Sequence, residues 1–304
     1  MEKHVIVAGS LHHDLVVNAE RFPVADEYVL GHSPRTIPGG KGTNQALASA
    51  RCGATTWLTG CVGDDEAGRN IAAHLSEAGV NVSLLQSAVD AATGSSVAIV
   101  NGFGDFGAVV MAGANAAFDA SNVKLPPESG LLLLQNELSE AANITLARKA
   151  RDAAVDVVVN GCPFREPDPE LLSLAGTLIL GLHEAEAMVG HAFSNARMAL
   201  DAAQSLSERV PRIVVLLSAG GMVHAEPGGR PEYHPTRETK PQSMHGVLDF
   251  FVGAFASQIV GGSEFDAAAH YAQSAALLFM TTPVERRDLI RATQIRARLG
   301  EDDR

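Results

Sequence analysis

The apolar positions of the chain change period along its length. Val5-Ile6-Val7-Ala8 is a mostly β-branched run that stops at Gly9, as expected of a buried first strand. Stretches 15–17 and 28–33 can also extend, and they lead into the turn residues Pro38-Gly39-Gly40. Over 43–53 small apolar side chains recur at helical spacing and stop at Gly53, a fitting residue just past a helix end. TTWLTG (55–60) reads as a strand, and 66–79 as an amphipathic helix closed by glycine. Two apolar runs flank the glycine-rich NGFGDFG within 95–113 and predict a hairpin.

Beyond it, strands at 131–135, 155–160, 177–181 and 212–217 alternate with helices at 139–153, 168–175, 183–189 and 195–209. The final third reads as helices over 247–260, 264–280 and 285–299, and 227–242 as the longest loop. Strand–helix alternation predicts an α/β fold, a parallel sheet covered by helices on both faces in three α/β/α layers. The extended pieces at 15–33 and 95–112 fall outside that alternation and predict a small second sheet, a lid. The expectation is one domain over 1–304, with lid segments at about 12–38 and 94–113.

Composition narrows the partners. The formal net charge is −12, which argues against nucleic acid or an anionic membrane surface as a partner. Cys52, Cys61 and Cys162 are odd in number and form no C-x-x-C pair, which suits buried thiols in a reducing cytoplasm better than disulfides or zinc. No uncharged apolar stretch reaches the ~18 residues of a spanning helix, so the sequence predicts a soluble protein. His12, His13 and Asp14 are adjacent, but neighbours in an extended chain point to opposite faces, which disfavours a shared metal.

PGGKGTN (38–44) raises the question of a phosphate loop. A G-x-x-x-x-G-K-[ST] motif would need glycine where Arg35 stands and Ser or Thr where Gly42 stands, so that loop is excluded. A dinucleotide fingerprint would follow the first strand, and GSLHHD (9–14) lacks it, which leaves a Rossmann-type oxidoreductase unsupported. Taken alone, Asp14 reads as a turn residue, Glu137 as a cap for the helix near Ser139, and Asp249 as a first-turn helix residue.

GGKGTNQALASARCGA resembles the N-terminal signature of the PfkB family of carbohydrate kinases. VAGSLHHDLVVNAERFP, TGSSVAIVNGFGDFGAVVMAGAN, LLLLQNELS and DFFVGAF are also similar to elements of that family, most of all to its ribokinase branch. The resemblance covers nearly the whole chain and implies a ribokinase-like fold. It also implies that Gly40, Lys41 and Asn44 contact a sugar, together with Asp14 and Glu137. Such a site suits a polyol, because glycines expose backbone amides and each carboxylate can accept from two hydroxyls.

The same resemblance implies ATP and Mg²⁺ as cofactors, and it places phosphate chemistry far downstream. The family's D-T-x-G-A-G-D corresponds to Ser243-Met244-His245-Gly246-Val247-Leu248-Asp249, with Asp249 as base and the amides of Gly246, Val247 and Leu248 forming an anion hole. Leu248 replaces a glycine; a misplaced donor there slows transfer by roughly 10²–10³. His183 replaces asparagine in the family's N-x-x-E, whose glutamate, here Glu186, acts on Mg²⁺ through water. Ser218-Ala219-Gly220-Gly221 stands for the adenosine-site motif, so Ser218 and Gly221 are its nucleotide contacts. Thr281-Thr282-Pro283-Val284-Glu285 lacks the expected glycine, which makes a monovalent-cation site there doubtful.

The expected function is therefore ATP-dependent phosphorylation of a hydroxymethyl group on a pentose, related sugar or nucleoside. The alternative is a sugar-binding protein on the same fold that has lost phosphoryl transfer, motivated by Leu248, His183 and Ala219. His12 stands where ribokinases have asparagine, so the sugar is open. The resemblance also implies a homodimer through the lids, with Val97, Ile99 and Val109 on an exposed face.

Overall fold

In the computed structural model, which describes residues 3–103, 106–217, 221–236 and 240–302, Val5 to Ala8 are completely buried. They form β1 (His4–Ala8), the strand around which the main sheet grows. After it come β2 (His12–Ala19), β3 (Gly31–Gly39), α1 (Lys41–Arg51), β4 (Thr56–Gly63), α2 (Glu66–Glu77) and β5 (Val80–Ala88). The hairpin β6 (Gly94–Val100) and β7 (Phe106–Met111) follows, then β8 (Ser129–Gln135), α3 (Glu140–Asp152), β9 (Asp156–Asn160) and α4 (Pro169–Leu174). The chain continues through β10 (Thr177–Gly181), α5 (Leu182–Val189), α6 (Ala196–Leu206) and β11 (Arg212–Leu216). It closes with β12 (Met222–Ala225), β13 (Glu232–His234), α7 (Val247–Val260), α8 (Phe265–Thr281) and α9 (Ala292–Asp302).

The nine-stranded main sheet runs β13-β12-β11-β10-β9-β8-β1-β4-β5, parallel except for the antiparallel β12 and β13. Its inner strands are nearly continuous apolar runs because both faces are covered. Val5, Val7, Leu131 and Leu133 point into a core with α1, α7 and α8, whereas Ile6, Ala8, Leu132 and Leu134 point into one with α3 and α6. The three-layer expectation holds.

A four-stranded sheet, β3-β2-β6-β7, stands beside it, with β2 and β6 parallel and the outer pairs antiparallel. Its two faces differ. Leu15, Val97 and Val109 align across the strands on the outer face and are exposed, while Asp14 and Ser96, one residue earlier, are buried on the inner face. Ile99, expected to be exposed, is half-buried.

Several elements depart from the sequence reading, among them β12, which it left unassigned. Strand β5 is a half-exposed edge strand whose mixed polarity hides it. The expected loop 227–242 contains β13, only three residues long. The expected helix over 285–299 is a 3-10 turn, Val284–Leu289, followed by α9, because the Arg287 side chain turns inward and breaks the register.

Candidate active site

β1, β8, β9 and β10 are parallel, so their carboxyl ends share one edge, where ligands bind in such sheets. Ser10 follows β1, Glu137 follows β8 and Asn160 ends β9. At the same edge Gly40 takes φ +87°, a value that side chains resist, and starts α1. The helix crosses the β1 loop so closely that a Cβ on Gly42 would stand 2.5 Å from the Gly9 carbonyl carbon. The Lys41 amide then donates to Glu137 Oε2 at 2.9 Å, and the Ser10 hydroxyl donates to the same oxygen.

Lys41, Asn44 and Gln45 lie on one side of α1 and converge on Asp249, which is 5% exposed in the first turn of α7. Lys41 Nζ is 3.4 Å from Asp249 Oδ1, Asn44 Nδ2 donates to Oδ2 at 3.2 Å, and Gln45 Nε2 donates to Oδ1 at 2.9 Å. Gln45 Nε2 is also 3.1 Å from Asn160 Oδ1. Burial alone would lower the Lys41 pKa. Asp249 foremost, then Cys162 and Glu137, outweigh it and hold the ammonium above the ordinary lysine value. Burial, reinforced by Glu184, pushes the neighbouring Cys162 thiol up to about 12 even though Lys41 opposes it.

A cleft of about 140 Å³ opens between the small sheet and the helices α1, α7 and α8, bordered by Asp14, Gly39, Asn44, His245, Gly246 and Arg287. Asp14 presents its carboxylate there, with Oδ1 accepting from the Ser96 hydroxyl at 2.6 Å. Of the five residues that the sequence places on a sugar, Asp14 and Asn44 border this cleft, Gly40 and Lys41 follow its lining residue Gly39 in the chain, and Glu137 is joined to them through the Lys41 amide.

Gly246, at φ +75°, turns the chain into α7. The Val247 amide is taken by the Met244 carbonyl at 3.3 Å, so it faces back into the turn. The amides of Leu248 and Asp249 belong to the first turn, where a helix supplies no partner and its dipole favours an anion. Leu248 leans toward the end of β10; a Cβ on Gly181 would lie 3.4 Å from its Cδ2. The His245 ring meets the Phe106 ring of β7 at 4.6 Å, linking the small sheet to this loop.

The remaining nucleotide-side residues are more dispersed. Glu186 Oε1 accepts from the Phe193 amide at 2.7 Å, and its Oε2 lies 3.5 Å from Nδ1 of the exposed His183. Glu184, one position past His183, is the carboxylate near Cys162 and Gly181. The carbonyl of Gly221 accepts from the Leu217 amide at 2.6 Å and so closes the turn between β11 and β12. Ser218 lies outside the described residues.

Sequence reasoning missed Ser10, Gln45, Asn160 and Arg287. Gln45 stands one helical turn from Lys41, and Asn160 ends a parallel strand, so both carried a positional signal. Arg287 carried none.

Carboxylates, one lysine and a helix N-terminus gathered beneath a second sheet suit phosphoryl transfer to a polyol. The model of the pfkB family carbohydrate kinases matches residues 2–286. Ribokinase of Mus musculus is 34% identical over 261 residues, covering 83% of this chain and 80% of the relative. Ribokinase of Bacillus subtilis is 29% identical over 280 residues, covering 91% and 92%. The solved structure of Arabidopsis thaliana ribokinase complexed with ribose and ATP has the same fold, with TM-score 0.87 at 24% identity over 98% of this chain and 99% of that one. The chain belongs to the pfkB family of carbohydrate kinases and is an ATP-dependent sugar phosphotransferase.

Proposed function

We propose that the chain transfers the γ-phosphoryl group of ATP to the hydroxymethyl group of a free pentose, ribose first among the candidates. The carrying observation is that Lys41 and Asn44, in the segment assigned to the sugar at the start of α1, also hold Asp249. A hydroxyl bound at that loop is delivered to the base, and proximity of this kind is itself catalytic. Asp249 accepts the hydroxyl proton, and Lys41 supplies positive charge as the oxygen becomes nucleophilic. Asp14, Glu137 and the Lys41 amide grip the other hydroxyls.

The donor set at the start of α7 fits a phosphate. Amides of Gly246, Leu248 and Asp249 would hold the transferring group, with Val247 shaping their turn rather than donating. Glu186 and Glu184 are the carboxylates that would hold a hydrated Mg²⁺, which would supply positive charge against the phosphates. Gly221 would border the adenosine side, where the sequence also assigns Ser218. The small sheet acts as a lid that excludes water, a competing acceptor.

The exposed row Leu15, Val97 and Val109, at 39%, 41% and 68%, suits a second copy of the same lid. The reading is thus a homodimer. Its three free thiols and the charge of −12 suit a cytoplasmic enzyme whose partners are sugar and nucleotide. Among the described residues no helix is long and apolar enough to cross a membrane.

The test is ADP release across pentoses, hexoses and nucleosides, with phosphorus NMR of the product and calorimetry of ATP binding. Pentose-dependent turnover that disappears in Asp249→Ala supports the reading. Sugar binding with no ATP binding overturns it in favour of a non-transferring binder. Light scattering at micromolar concentration tests the dimer, and a monomer removes it.

A further inference from the structure

Arg287 is 6% exposed and makes no ion pair among the described residues. Its Nε donates to the Thr282 carbonyl at 3.2 Å, Nη1 to the His245 carbonyl at 2.9 Å and Nη2 to the Ser243 carbonyl at 2.7 Å. The Phe279 ring covers the guanidinium at 4.3 Å. Three backbone carbonyls from two loops therefore converge on one buried positive charge. Converging carbonyl oxygens are the donor set of a hard alkali cation. Here the side chain fills their centre, so a monovalent-cation site does not fit. Burial lowers the Arg287 pKa to about 10, which leaves it charged at neutral pH.

We propose that Arg287 is a built-in replacement for a monovalent cation, so that the enzyme works without potassium or sodium. The peptide bond explains how. In a trans peptide the carbonyl and the next amide point in opposite directions. Holding the His245 carbonyl thus turns the Gly246 amide the other way, toward the cleft. Arg287 is a positioning residue: it sets the turn on which the anion hole is built and adds positive charge behind it. This rests on the reading of Gly246–Asp249 as the phosphate site.

The test compares turnover and thermal midpoint in choline, sodium and potassium chloride at equal ionic strength. Wild type is expected to change less than about twofold, and Arg287→Ala to lose about 10²-fold in kcat. Potassium or free guanidinium should restore part of that loss and raise the variant's midpoint. Tenfold activation of wild type by potassium overturns the proposal, as does an Arg287→Ala variant that ignores both cations. If wild type turns over no sugar in any salt, the functional reading fails instead. Potassium-specific stabilisation of wild type would then still overturn the cation proposal, and its absence would sustain it. Arg287→Met, closer in length, serves if the alanine variant does not fold.

A different observation carries a second inference, at the far edge of the main sheet. His224 on β12 and His234 on β13 stack at 4.7 Å, and Asp266 from the first turn of α8 places Oδ1 3.1 Å from His224 Nε2. One candidate ligand atom from each of the three lies within 4.8 Å of the others. His224 is 4% exposed; its Nε2 has only the Asp266 carboxylate beside it, and neither its Nδ1 nor the Nε2 of His234 makes a hydrogen bond. Buried ring nitrogens without a hydrogen bond are costly unless something ligates them. His270 Nε2 sits 3.4 Å from the same Asp266 oxygen and can steady or complete the set.

The geometry points to a structural site for a divalent transition metal of the zinc class on His224, His234 and Asp266, tying the edge hairpin to α8. Two imidazoles and a carboxylate suit Zn²⁺ or Co²⁺ better than Mg²⁺. Chelator-treated protein without nucleotide should bind one equivalent of Co²⁺, with visible ligand-field absorption, displacement by Zn²⁺ and a raised thermal midpoint. His224→Ala or His234→Gln should abolish these signals, and Asp249→Asn should not. No stoichiometric binding, or binding indifferent to the histidine variants, overturns the site.

Discussion

Lys41 Nζ lies 3.4 Å from Asp249 Oδ1, joining positions 208 residues apart. The loop that would read a sugar and the helix that would activate it are therefore one electrostatic unit. Replacing Asp249 by Asn keeps its size but removes the anion that Lys41, Asn44 and Gln45 surround. A fall in kcat of about 10²–10⁴ is expected, with a smaller change in sugar KM. Steady-state ADP release reads both; a kcat within tenfold of wild type would remove Asp249 from the role of base.

Gly42→Ala is expected to act on folding and sugar binding together. Its new Cβ would meet the Gly9 carbonyl carbon at 2.5 Å and the Ser10 carbonyl oxygen at 2.7 Å, backbone atoms that cannot rotate away. A loss of about 1–3 kcal/mol by urea unfolding should accompany a raised sugar KM. A variant with wild-type stability would show that the crossing is looser than this.

Leu248→Gly tests the anion hole from the other side. Leu248 occupies space between the first turn of α7 and the end of β10, where a phosphate oxygen would sit. The rate of phosphoryl transfer should rise, at a stability loss of about 1 kcal/mol from glycine in a helix. An unchanged rate would mean that Leu248 does not limit transfer.

Phe106→Ala should leave the sugar contacts whole but loosen the lid from His245, whose ring it meets. Water then gains access, and the ratio of ADP to sugar phosphate should climb above one. A ratio that stays at one would separate this contact from water exclusion.

The buried Cys52 thiol and the half-buried Cys162 thiol predict an alkaline weakness. Burial raises the pKa of Cys52 and Cys162 from 9.0 to about 12 in the folded chain. The folded state keeps these protons longer than the unfolded state, so the stability they support is complete below about pH 9. It falls as pH rises toward 12, by up to about 1.4 kcal/mol per unit for each group. Urea midpoints at about pH 8 and about pH 10.5 should diverge in wild type and converge in the Cys52→Ala, Cys162→Ala double variant. Equal divergence in both proteins would assign the effect to other groups.

Legibility in the sequence followed physical regularity. Val5–Ala8 and Leu131–Leu134 announced buried parallel strands because both faces need apolar side chains. Strand β5, covered on one side only, carried a blurred pattern, and β13 was too short to carry any. The turn into α1 was readable because Gly40 and Gly42 answer a local demand for backbone room. Gln45, Asn160 and Ser10 act through contacts between elements distant in sequence, which spacing alone does not encode. Arg287 looked like one more surface cation in a helix, and only its tertiary placement turns it inward.

Asp14 rides on the small sheet, whereas Lys41 and Glu137 belong to the large one. A sugar that satisfies all three becomes a temporary fastener between two separately built layers. Its arrival would then hold the Phe106–His245 contact in place before the phosphate donor is committed. That arrangement favours an ordered kinetic sequence with the sugar first, in which the acceptor completes the fold of its own active site.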